Sequence, residues 1–100
     1  MVINVLDHVE RCYSNDDGNV IFSLIKPSIS AGTQVVVSFK GVSSVPSSFV
    51  NSAFIELLEH FTFDEIKANL RFVNSTRTIN EMIKQRFDFE VNKRSELVNV

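Results

Sequence analysis

The sequence predicts a single small α/β domain with a central, mostly parallel sheet and helices packed on it. Three observations carry this. Short β-branched runs alternate along the chain with longer segments of helical period, in the order strand, helix, strand, helix, strand, helix. One hundred residues are enough for one core and too few for two. The hydrophobic fraction of 44% is ordinary for a packed domain, and nine of the ten aromatic residues are Phe with no Trp, which favours core filling over stacking platforms.

The clearest unit runs from Thr33 to Phe61. Val35, Val36 and Val37 lead through Ser38 to Phe39, then Lys40 and Gly41 turn the chain. A β-branched run bounded by glycine reads as a buried strand, Gln34 to Phe39. Ser43, Ser44, Val45, Pro46, Ser47 and Ser48 form a polar loop. Beyond it Phe49, Val50, Ala53, Phe54, Leu57, Leu58 and Phe61 recur at helical spacing, which predicts one helix over Ser48–Phe61 with Phe54 and Leu57 inward and Glu56 and Glu59 outward. Ser47 or Ser48 is expected to cap it.

The other elements follow in order. Val2, Ile3, Val5 and Leu6 predict a first strand. The stretch from Asp7 to Tyr13 is ambiguous, and Ser14 to Gly18 has turn composition with Asp16 or Asp17 as a helix cap. Val20, Ile21, Leu24, Ile25 and Ile29 form a helical stripe, so a helix is expected from about Gly18 to Ser30, kinked or ending early at Pro27; a strand from Val20 to Ile25 is the alternative. Ala31 and Gly32 stop it. Phe63 to Ala68 reads as a helical turn, with Asp64 and Glu65 at its start. Leu70, Phe72 and Val73 predict a strand. Thr78 to Glu81 has capping-box form ahead of a helix through Ile79, Met82, Ile83, Arg86 and Phe87. The domain is expected to span 1–90, with 91–100 a last strand or a loosely held tail.

Charge and composition exclude several classes. The net charge is −2 and the pI about 5.6, against a general nucleic-acid backbone binder. Residues 71–100 are mildly basic and residues 1–70 acidic, and the basic part reads first as a solvated helix face. The lone Cys12 rules out an intramolecular disulfide. No apolar run approaches the roughly 18 residues of a membrane span, and the first residues lack a basic n-region, so a reducing cytoplasm is expected. With three glycines, none in a phosphate-loop arrangement, no nucleotide site or other cofactor is expected.

Little in the chain suggests chemistry. His8 and Cys12 are four apart and would share a face if helical, but two ligands do not make a zinc site and no local signature makes them a nucleophile–base pair. Asp16 to Asn19 lacks the spaced ligands and closing Glu of a calcium loop. No catalytic or metal residue is assigned, and the chain is read as no enzyme.

The segments DDGNVIFSLI, VVVSFKGV, SSFVNSAFIELL and LRFVN, with a last helix after them, resemble the STAS-like family of small bacterial and phage domains over about 80 residues. The features shared are Ser38-Phe39 and Gly41-Val42 at the strand end, then Ser48-Phe49 and Asn51 at the helix start. That family is similar in turn to the anti-sigma factor antagonists. There a serine at this junction is phosphorylated by a GHKL-type kinase that is also the binding partner. The resemblance implies a non-enzymatic regulatory module for signal transduction. It places Ser47 or Ser48 at the phosphoacceptor position and the partner contact on Ser43, Ser44, Pro46, Ser47, Ser48 and Asn51. Pro46 stands where the antagonists carry an acidic residue before the serine pair. STAS-like members are often described as encoded beside ATP-binding proteins of that kinase superfamily, which makes such a protein the expected partner. The alternative is a phage or mobile-element inhibitor of a host enzyme or defence system on the same scaffold. A second copy of the chain is a further candidate partner; nucleic acid and membrane are not.

Overall fold

The computed structural model describes the backbone of residues 1–98 and the side chains of residues 1–93. Three parallel strands, β1 (Val2–Asn4), β2 (Val35–Ser38) and β3 (Leu70–Val73), lie side by side in that order. Val2 pairs with Val36 and Val36 with Arg71. Parallel neighbours need long crossovers. Here α1 (Asn15–Ser30) fills the first, and α2 (Ser47–Ala53) with α3 (Phe63–Asn69) fills the second. The last helix, α4 (Arg77–Val98), follows β3.

Alternation along each strand sorts the two faces of the sheet. Ile3, Val35, Val37 and Leu70 are buried against the helices. On the opposite face Val2 and Val73 are 62% and 40% exposed, and Asn4 and Arg71 are also exposed. Ser38 shares that face yet is buried. Its hydroxyl accepts from the Asn74 side-chain amide at 3.0 Å, which ties the ends of β2 and β3. Asn74 itself stands at φ 51°, a conformation asparagine tolerates. The core centres on Phe54, whose ring meets Phe72, Phe49 and Phe39 edge to face at 5.1, 6.1 and 6.2 Å. Burying a side chain of this size stabilises by about 1.5–3 kcal/mol.

The first helix departs from expectation at its start. Ser14 is its N-cap and accepts from the Asp17 N–H at 3.2 Å, while the Asp17 carboxylate accepts from the Ser14 N–H at 3.0 Å. The helix therefore begins at Asn15, with Asp17 at its third position rather than capping it. It continues past Pro27 to Ser30 rather than ending there, so the strand alternative from Val20 to Ile25 does not hold. Proline costs a helix the bond to the carbonyl four residues back, here Ser23. Ser23 and Pro27 both lie on the exposed side of the helix. Ile21, Ile25 and Ile29 face inward as the stripe predicts, whereas Val20 is 40% exposed.

The single helix expected over Ser48–Phe61 is two pieces. After Ala53 the chain breaks at Phe54 (φ −123°, ψ −44°) and continues as a 3-10 turn, Ile55–Glu59. Phe54 and Leu57 point inward and Glu56 and Glu59 outward as expected. The C-terminal reading is corrected more fully. Where the sequence suggested a strand or loose tail from 91, α4 is continuous to Val98, with Asn99 and Val100 outside the described residues. Its N-terminus is held by Thr76, whose hydroxyl accepts from the Ile79 N–H at 3.2 Å, so Thr78 is inside the helix rather than capping it.

Candidate functional site

The loop 43–48 leaves the C-terminal end of β2, the end at which open parallel sheets place their functional loops. Gly41 makes the exit turn with φ 86°, which a side chain would strain. Three tethers then fix the loop and the helix after it. The Thr76 hydroxyl donates to the Ser43 carbonyl at 2.8 Å, joining the loop to the start of α4. The Ser48 hydroxyl donates to the Tyr13 carbonyl at 3.4 Å, joining it to the segment before α1. The Arg86 Nε donates to the Asn51 side-chain oxygen at 2.7 Å, joining α2 to α4.

These bonds divide the residues the sequence singled out. Ser43, Ser44 and Ser47 are exposed. Pro46, Ser48 and Asn51 are half-buried, and Val45 between them is buried. The expectation that Ser47 or Ser48 caps α2 is corrected. Pro46 is the N-cap residue, with extended backbone at φ −79° and no side-chain cap bond. Its carbonyl takes the first helical bond from Val50, leaving Ser47 and Ser48 as the first two helical residues. The break falls there because φ near −79° suits the proline ring, which fixes it close to that value.

Three residues of the site were not legible as such. Tyr13, 68% exposed, stands beside the loop because its carbonyl holds Ser48. Thr76 anchors Ser43. Arg86, read as part of a solvated face, is partly buried and also pairs with Glu90 at 3.0 Å. Each contact spans more than thirty residues of chain, so no local pattern announces it. Ser43, Ser44 and Ser47 are exposed, and so is Tyr13, an aromatic residue of the kind enriched in protein contacts, whose backbone carbonyl meets Ser48.

His8 and Cys12 lie in an irregular segment rather than on one helix face. Cys12 is buried, and its thiol is pushed up to about 11 by burial and then by the Asp17 charge, so it stays protonated. The Asp17 carboxyl is held below its ordinary value by the Ser14 N–H first, then by the Tyr13 N–H and Ser14 hydroxyl and by Arg11, against partial desolvation. Among the described residues no three His, Cys, Asp or Glu side chains gather as a metal-binding group, and no helix is long and apolar enough to cross a membrane.

An open parallel α/β domain with a tethered serine loop after its central strand is the class that fold and site define. The model of a STAS-like domain of unknown function matches residues 17–80, and the chain belongs to that family. The match takes in α1 from Asp17 onward, β2, the serine loop, α2, α3, β3 and the first turn of α4; β1 lies before it. No curated protein and no solved structure matches the chain.

Proposed function

We propose that this protein is a non-enzymatic regulatory module that docks a protein partner, an ATP-binding protein of the GHKL kinase type, on the Ser43–Ser48 loop in the cytoplasm. The observation that carries the reading is the exposure of Ser43, Ser44 and Ser47 on a loop tied down on both sides. A loop already ordered loses less entropy on binding. Within it Ser47 is the phosphoacceptor, because its hydroxyl faces solvent while that of Ser48 is turned to the Tyr13 carbonyl. A phosphate on Ser47 would sit in the first turn of α2, where negative charge is favoured, so modification would leave the fold intact and alter the surface a partner meets.

The test is capture from native lysate with wild type and Ser47→Asp as parallel baits, followed by peptide mapping after incubation with ATP. Wild type should retain an ATP-binding partner that Ser47→Asp loses, and phosphate should map to Ser47. Equal retention of the same partner by both baits would move the interface off this loop, to the basic surface around Arg77 and Lys84.

A further inference from the structure

Away from the serine loop a cleft lies between α3 and α4, with β3 as its floor. Its volume is about 160 Å³. The periodicities of three elements converge on it. Phe63, Ile66 and Lys67 come from successive turns of α3, Lys84, Phe87 and Asp88 from successive turns of α4, and Leu70 and Phe72 from one face of β3. The Phe63 and Phe87 rings, 5.4 Å apart, form one wall. The cleft is partly open to solvent, its walls are mainly apolar, and its volume is about that which holds one aromatic ring.

The rim is cationic. Lys67 lines the cleft, with its ammonium 5.1 Å from the centre of the Phe63 ring. Lys84 enters from the other side. Neither lysine has a carboxylate partner within ion-pair distance among the described residues, and the rim's one acid, Asp88, leaves it net positive. We propose that this cleft binds a small organic acid: a single ring or short alkyl chain seated against Phe63, Phe72 and Phe87, with its carboxylate held by Lys67 and Lys84. A free acid fits better than an apolar side chain of a protein. Among the described residues the exposed large hydrophobics, Tyr13 and Phe89 among them, do not line the cleft, so its rim offers a docking polypeptide little apolar margin.

The probe is 3-phenylpropionate, titrated into the ¹⁵N-labelled chain and followed by amide shifts, with 3-phenylpropanol and 3-phenylpropylamine as uncharged and cationic controls. Saturable shifts should cluster at Ile66, Leu70 and Phe87 with a Kd of order 1 mM. The acid should bind about two- to fivefold more tightly than the alcohol, and the amine more weakly than either. Lys67→Gln and Lys84→Gln, both at exposed positions, should erase the preference for acid over alcohol while leaving the alcohol's affinity alone. The absence of saturable shifts up to about 10 mM, equal binding of acid and amine, or an unchanged preference in both variants would overturn the proposal. So would tighter binding of an end-blocked peptide carrying adjacent Phe and Glu, which would make the cleft a seat for a protein side chain.

Discussion

Gly18 of α1 lies against the backbone of α2 at Phe49: a Cβ at position 18 would stand 2.7 Å from the Phe49 carbonyl oxygen. It would also meet the Ser52 Cβ at 2.6 Å and the Ala53 nitrogen at 3.1 Å. These are backbone or near-backbone atoms, so relief requires the two helices to separate. Gly18→Ala should therefore destabilise by about 1–3 kcal/mol, although alanine is the better helix former by about 1 kcal/mol. Urea melts check this, and a stability at or above wild type would show that the helices part at little cost.

Pro27 gives the opposite sign. Alanine there restores a donor for the Ser23 carbonyl and removes the ring from the helix interior. Alanine also leaves the unfolded chain freer, which offsets part of the gain by about 0.4–1 kcal/mol. Pro27→Ala should be neutral or stabilising, and a clear fall in the urea midpoint would contradict the continuous helix.

Asp17 should make stability depend on acid. Its folded pKa is depressed, so its contribution is present above the unfolded carboxylate value and is lost as pH falls through the folded one. Asp17→Asn does not titrate. The stability gap between wild type and Asp17→Asn, measured by urea melts from neutral pH downward, should narrow below about pH 4. A gap that stayed constant would mean the carboxylate is no better held in the folded state.

The serine pair should behave asymmetrically. Ser47→Asp adds a charge to an exposed first-turn position and should leave stability unchanged or raise it by up to about 1 kcal/mol. Ser48→Asp replaces a donor with a carboxylate facing the Tyr13 carbonyl and should cost about 1 kcal/mol or more. Thermal melts of the two variants separate them, and equal melting would show that the Ser48 bond contributes nothing.

Residue by residue, what the sequence conveyed depended on range. The run Val35–Val37 and the stripe Ile21, Ile25, Ile29 are local patterns, and both appear as a strand and a helix. The stripe from Phe49 to Phe61 also reads correctly for burial, yet it hides the break at Phe54. Residues three and four apart share a face in both α and 3-10 geometry, so the spacing fits either. The backbone at Phe54 departs where its ring meets Phe39 and Phe72, which no window around position 54 contains. The serine loop was visible from composition, whereas its tethers to Tyr13, Thr76 and Arg86 were not. The α3–α4 cleft was hidden for a different reason: Phe63, Leu70, Phe72 and Phe87 carry the same signature as core residues, and only their arrangement leaves a space between them.

The parallel register sets a timetable for assembly. Val36 comes 34 residues after its partner Val2, and Arg71 a further 35 after Val36. No strand pair can close as a hairpin, so the whole sheet waits on distant contacts, the kind that slow folding. During synthesis at about 5–20 residues per second, β1 emerges roughly 2–7 s before its partner exists. For that interval Ile3 and Val5, fully or nearly buried at the end, have nothing to lie against. The capping box at Ser14 and Asp17 closes within four residues, so α1 can begin to wind while β1 is still waiting. Of the three strands β1 is thus made first, and as an edge strand it joins the sheet only once β2 exists.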